Sequence, residues 1–218
     1  MTGPDLVLAV DGSNRDEPLV VVVESGGNLV FKPALVPEPI SLLAAVKDAL
    51  ELQRDQLVAV VAVSGPGSYM GVRAGLAAAL GAAQSLTLPL ALVGSLEVIA
   101  AQADPHGEVV LAVADAGRGG TLGQVLEPFA RPGRPIGWRP LGAAELLGRG
   151  LPWPDSWGEV HRLIGSPAAG RDLPAAVAQL PLARDRQHAL AWVAVGDPEP
   201  IRGYDQVSAD YAQPVGVR

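Results

Sequence analysis

Apolar residues fall along this chain in short blocks of strand length that alternate with longer blocks of helical period. Leu6–Val10 is wholly apolar and is closed by Asp11-Gly12-Ser13-Asn14, a strong turn sequence. Leu19–Val23 is continuous and mostly β-branched, Gly26-Gly27-Asn28 supplies a hairpin turn, and Leu29–Phe31 returns. Pro37 and Pro39 punctuate a loop. From Ser41, placed to cap, the spacing predicts a helix to about Gln53, with Leu42, Ala45, Val46, Ala49 and Leu50 on one face and Lys47, Asp48, Glu51 and Arg54 opposite. Leu57–Val63 is apolar throughout, as expected of a strand covered on both faces of a parallel sheet. A glycine-rich loop, an alanine-rich helix and, after Pro89, the strand Leu90–Val93 complete a β-β-β-α-β-α order over residues 1–105.

The pattern restarts near residue 109. LVLAV at 6–10 with Asp11 is echoed by VVLAV at 109–113 with Asp115, and each run leads through a glycine-containing turn to a second extended run, here Leu122–Leu126. Two such halves resemble the bilobed actin-like ATPase (ASKHA, RNase H-like) α/β architecture, in which Asp-bearing turns face each other across a cleft. The second lobe, residues 106–218, is expected to be reduced. Six prolines between 128 and 158 exclude a continuous helix or central strand there. Short helices are predicted at Gly142–Leu147, Leu173–Leu180 and Gln187–Val195, with an extended tail from Pro198.

Composition narrows the function classes. The 218 residues are 49% apolar with mean hydropathy +0.26, enough for a substantial core. The net charge of −7, acidic in both halves, argues against a chain that binds nucleic acid alone by neutralising phosphates. Cysteine is absent, which excludes a disulfide framework and thiolate metal ligands. MTGPDLVLAV has no basic region and meets Asp11 early, unlike a secretion signal. Ala74–Leu96 carries no charge, but its alanines, Gln84, Ser85, Thr87 and Pro89 favour helix, turn and buried strand over a membrane span. A soluble, cytoplasmic protein is expected.

The loop Ser64-Gly65-Pro66-Gly67-Ser68 leads from a buried strand into a helix, a position where backbone N–H groups can hold an anion. It lacks the Gly-Lys-Ser/Thr of a P-loop, and Gly65, Gly67 and Gly71 miss the dinucleotide spacing by one residue. Arg73 opposes the helix dipole in the first turn, which calls for an anion, a carboxylate partner or an interface. A tight turn with Arg73 in an internal ion pair is the plainer reading. Gly71, Gly75, Ala79 and Ala82 form a narrow stripe of small residues on the following helix. That stripe suits either close packing on the chain's own sheet or a helix–helix interface with a partner.

VSGPGSYMGVRAGLAAALGAAQSLTLPLALVGSLEVIA resembles the signature of the bacterial TsaB (YeaZ) family, a GPGSFTGLRIG-like block followed by a small-residue helix, a strand and a Ser-Leu-Glu helix start. LVLAVDGSN and VADAGRGG are similar to the family's first strand-turn and to the opening of its second lobe. Beyond residue 115 the likeness thins to Ile164-Gly165-Ser166-Pro167 and Ala209-Asp210-Tyr211. The resemblance implies a non-catalytic scaffold that pairs with a TsaD-like catalytic subunit and a TsaE-like ATPase to place threonylcarbamoyl on tRNA adenosine. Transfer RNA would be met only through that complex. The chain alone would form a homodimer through the first-lobe helices, here by Leu42, Val46, Gly71, Val72, Gly75, Ala79 and Ala82. Asp11, Ser13 and Asp115 would be a vestigial nucleotide turn, in which Asp11 and Asp115 could hold magnesium by way of a nucleotide as in ATPases of this fold, but Asp11-Gly12 as a plain turn former is the favoured reading. No cofactor of its own is expected, and ATP or ADP only at an interface shared with a partner.

The catalytic relative holds a metal through an His-x-x-x-His pair, whereas His106, His161 and His188 are far apart in this sequence. No metal site is expected. The alternative is an ATP- or metal-dependent transferase or glycoprotease-like enzyme. Trp153 and Trp157 are read as pins for a proline-rich loop, the alternative being a partner anchor.

Overall fold

The computed structural model describes residues 5–33, 39–104, 107–130, 136–149, 151–157, 160, 162–166, 177–196, 198–210 and 213–214. The first sheet is built from β1 (Leu6–Asp11), β2 (Leu19–Glu24), β3 (Leu29–Phe31), β4 (Leu57–Gly65) and β5 (Leu90–Gly94) in the order β3-β2-β1-β4-β5. The hairpin strands pair antiparallel, while β1, β4 and β5 run parallel. Alternation along the strands serves two cores at once: Leu8, Val10, Val20, Val22, Val60 and Ala62 face one way, and Ala9, Val21, Val23, Val61 and Val63 the other. This two-sided burial is why the strands read as unbroken apolar runs.

Helix α1 (Pro39–Gln53) and helix α2 (Tyr69–Leu86) cover the first face. Proline at the helical start fits its missing N–H, and Ser41 lies within the first turn instead of capping it. Helix α2 begins at Tyr69, because Ser68 caps it by accepting from Gly71 N–H. Thr87, in the left-handed region at φ 55°, ends it, and Pro89 follows. The uncharged 74–96 stretch is thus helix, turn, strand and the short α3 (Ser95–Ala100). Among the described residues no helix is long and apolar enough to cross a membrane.

The second sheet holds β6 (Val110–Gly117), β7 (Gly120–Phe129), β8 (Gly137–Pro140), β9 (Glu145–Leu147), β10 (Arg162–Gly165), β11 (Ala178–Gln179) and β12 (Gln213–Pro214). Its order β11-β10-β6-β7-β9 repeats β5-β4-β1-β2-β3 of the first sheet, with β8 also on β7 and β12 beyond β9. The echo at residues 6–11 and 109–115 is therefore a repeat of topology. Two predicted helices are corrected. Glu145–Leu147 pairs with Thr121–Gly123 and buries Leu147, so cross-strand pairing wins over six residues of weak helical period. Ala178–Gln179 pairs with β10, while residues 173–176 of that prediction lie outside the described residues. Helix α4 (Arg186–Val195) agrees with the sequence.

Helices α3 and α4 lie between the two sheets. Leu96, Val98 and Ala100 with Ala189, Leu190, Ala191 and Ala194 share one core with Val61 and Val93 on one side and Ala112, Leu126 and Ile164 on the other. Trp157 packs on the outer face of the second sheet, over Gly123 and edge-to-face with Trp153 at 5.1 Å, so the pair pins its loop to the core. After α4 the chain returns to the first sheet as a strap. Ile201 N–H donates to Leu90 O (2.9 Å), Tyr204 Oη donates to Leu88 O (2.7 Å), and Asp210 N–H donates to Ser64 O (2.7 Å). Tyr204→Phe removes a part-buried hydrogen bond; urea unfolding is expected to show a loss of about 1 kcal/mol. Hydrogen exchange should accelerate mainly over 198–210.

Candidate functional site

In parallel α/β sheets ligands enter at the carboxyl ends of the strands. Here those ends are Asp11-Gly12-Ser13 after β1, Ser64–Gly67 after β4 and Gly94-Ser95 after β5. Asp11 is fully buried, on the face of the sheet toward α4. Its Oδ1 accepts from Ser13 N–H (2.7 Å), which shapes the turn, and its Oδ2 accepts from Arg186 Nη2 (2.6 Å). The same nitrogen donates to Ser13 Oγ (3.0 Å), and Arg186 Nη1 lies 3.9 Å from the exposed carboxylate of Glu17. Arg186 opens α4, directly after the cap Asp185, whose Oδ1 accepts from His188 N–H. That backbone hydrogen bond, ahead of the neighbouring His188 ring, holds the Asp185 carboxyl below the usual carboxylate range.

The glycine loop wraps this turn. Ser68 N–H donates to Ser13 O (2.7 Å), and Val72 N–H donates to Ser68 O. A Cβ on Gly67 would meet the Ser13 carbonyl, and one on Gly71 the Gly12 carbonyl. One on Gly75 would stand 3.1 Å from Gly12 N, and one on Gly65, at φ +113°, would meet Asp210 O. The glycines of the loop are thus required by close approach of the chain's own backbone. The Ser68, Gly71 and Val72 N–H groups are already engaged within the chain, which reduces the donors the helix start can offer a phosphate. Ser95 Oγ closes the far side by donating to Pro66 O (2.5 Å).

Several sequence expectations change accordingly. Leu42, Val46, Val72, Gly75, Ala79 and Ala82, expected at a partner interface, are buried within this chain, and Gly71 is half-buried against Gly12. The stripe of small residues lets α2 approach the sheet and the β1 turn, the packing alternative stated above. Arg73 is exposed and stacks over the exposed Tyr69 ring at 3.9 Å, four residues earlier, a cation–π contact on the outer face. Asp11 and Ser13 come together with Gly67 and Ser68, whereas Asp115 is exposed near the end of β6 in the other sheet. His188 pairs with Asp185; His106 and His161 lie outside the described residues, among which no group of His, Cys, Asp or Glu is arranged to hold a metal ion. Arg186 was missed. It carries the same signal that singled out Arg73, a cation in the first turn of a helix, but its partner is 175 residues away.

The outer face opposite the stripe exposes several apolar side chains beside Arg73. Leu43 on α1 and Tyr69 and Met70 on α2 are each more than half exposed, and Ala77 and Gly81 continue the α2 row.

Residues 39–125 match the family model for TsaD, tRNA N6-adenosine threonylcarbamoyltransferase. That span runs from α1 through the glycine loop to β7. Among solved structures, YeaZ from Pseudomonas aeruginosa is 21% identical with a TM-score of 0.65, over 95% of this chain and 99% of that one. A second Pseudomonas aeruginosa protein, described as similar to peptidase YEAZ, is 21% identical with a TM-score of 0.64, over 96% and 100%. No curated protein matches the sequence. The repeated five-strand order around central helices defines an α/β protein of the RNase H-like (ASKHA) type. The TsaD-family match covers less than half of the chain, and the end-to-end likeness to YeaZ, at 21% identity, shows a shared fold.

Glu97, in the first turn of α3, accepts from Gly94 N–H (2.8 Å) but is pushed up to about 7 by burial, which outweighs that bond. Between its ordinary value of 4.5 and about 7 the folded chain keeps a proton that the unfolded chain has released. This contribution to stability is full below pH 4.5 and is lost as pH rises through 7. Glu97→Gln keeps the acceptor and removes the titration. It should match wild type at pH 4.5 and exceed it above pH 7 by up to ~3 kcal/mol in urea unfolding.

Proposed function

We propose that this chain is a TsaB-like subunit in the synthesis of threonylcarbamoyladenosine in tRNA, acting as a non-catalytic scaffold for a TsaD-like catalytic chain. The observation that carries this reading is the glycine loop: its glycines are packed against Gly12, Ser13 and Asp210 of the same chain, and the Ser68 and Gly71 N–H groups are engaged internally. A loop so filled supports a role in presenting α2 over one in binding phosphate. The outer face of α1 and α2, with Leu43, Met70, Ala77 and Gly81, is the surface proposed for the TsaD-like partner and for a homodimer when the chain is alone. A TsaE-like ATPase would join that assembly in the cytoplasm, and any ATP or ADP would lie at a shared interface. The −7 charge favours contact with tRNA through the partner.

Ala77→Asp tests the surface. It should leave the unfolding midpoint unchanged and weaken association with a cognate TsaD-like chain at least ~10-fold, because an unpaired carboxylate would be desolvated there. Ala79→Asp, at a position with no exposure, should instead fail to fold. Normal association by folded Ala77→Asp would rule the surface out. Hydrolysis of ATP by the purified chain alone would favour the transferase or glycoprotease-like alternative.

A further inference from the structure

The resemblance implies that Asp11 could hold magnesium by way of a nucleotide, as in ATPases of this fold. The residues around it do not fit that group. Asp11 has no solvent exposure, and both of its oxygens are engaged, one by Ser13 N–H and the other by Arg186 Nη2 at 2.6 Å. Magnesium keeps several waters in near-octahedral geometry and would need space beside this carboxylate. It would also stand within contact range of a guanidinium that is itself buried, where charge repulsion is poorly screened. Arg186 Nη2 is held by Asp11 and by Ser13 Oγ, and Nη1 faces the more distant Glu17, while the buried Nε has no hydrogen-bond partner.

We propose that Arg186 is a built-in cation standing where a metal would, neutralising Asp11, excluding a divalent cation with its nucleotide from the ends of β1 and β4, and tying α4 to the turn that seats α2. The arrangement accounts for a charged residue in the first turn of α4, against the helix dipole. It also accounts for a buried carboxylate 175 residues away in sequence. Neither group is tolerable alone in that environment. This goes beyond the scaffold role and stands on the isolated chain, so it is tested without a partner.

The test is thermal unfolding of the full chain with magnesium chloride, alone and with ATP. Wild type should shift by less than about 1 °C, as expected of a ligand that does not bind the native state. Arg186→Met should lower the midpoint by about 5 °C or more, and magnesium should restore at least ~2 °C of that loss through the bared carboxylate. The restoration should vanish in Asp11→Asn/Arg186→Met, and removing Arg186 should cost much less in the Asp11→Asn background than in wild type. Arg186→Gln serves in the same design if the Met variant does not fold. Three results overturn the proposal: a magnesium- or ATP-dependent shift of wild type that Asp11→Asn abolishes, an Arg186 variant indifferent to magnesium, or equal costs in the two backgrounds.

Discussion

The turn at Gly12 lies directly on the backbone of α2 with no side chain between them. Gly12 meets Gly71 and Gly75, Gly67 meets Ser13, and Ser68 N–H donates to Ser13 O. Four glycines are needed for this approach, since a single Cβ on any of three of them would overlap backbone oxygen. From that contact the rest of the first lobe follows. It fixes the angle at which α2 leaves the sheet, turns Gly75, Ala79 and Ala82 inward, and leaves Met70, Ala77 and Gly81 outward.

Around this contact the chain closes on itself twice. Helix α4 returns from the second lobe to bring Arg186 onto Asp11, and the strap that follows brings Asp210 onto Ser64 and Gly65. The strand ends where an α/β protein usually receives a ligand are therefore occupied by distant parts of the same chain. The duplicated sheets have diverged at the corresponding place in the second lobe. Where the first half inserts α1 between its third and fourth strands, the second carries the loop of Trp153 and Trp157. Two aromatic rings there cover part of the sheet face that α1 covers in the first half.

Much of the first lobe was legible because its signals are local. The strands Leu6–Val10, Leu19–Val23, Leu57–Val63 and Leu90–Val93 announce themselves by unbroken apolar runs that only a sheet buried on both faces sustains. The duplication showed as a short echo, and strand order confirms it. Strands β9 and β11 were not legible, since two or three residues extended by pairing with β7 and β10 leave no periodicity of their own. The candidate site was half read. Its residues Asp11, Ser13, Gly65, Gly67 and Ser68 were found, but the small-residue stripe names no partner by itself. The glycine spacing of α2 fits an approaching backbone, and only the fold shows that the backbone is that of Gly12. Arg186 is invisible for the complementary reason, that a long-range ion pair imposes no local pattern.

The seating of the turn on α2 is tested most directly by comparing two identical substitutions on the same helix in urea unfolding. Gly71→Ala places a methyl group against the Gly12 carbonyl, whereas Gly81→Ala places one in open space. The predicted result is a loss of ~2 kcal/mol or more for Gly71→Ala and a gain of about 0.5–1 kcal/mol for Gly81→Ala. Equal gains at both positions would mean that the turn does not rest on the helix backbone, and would contradict the account.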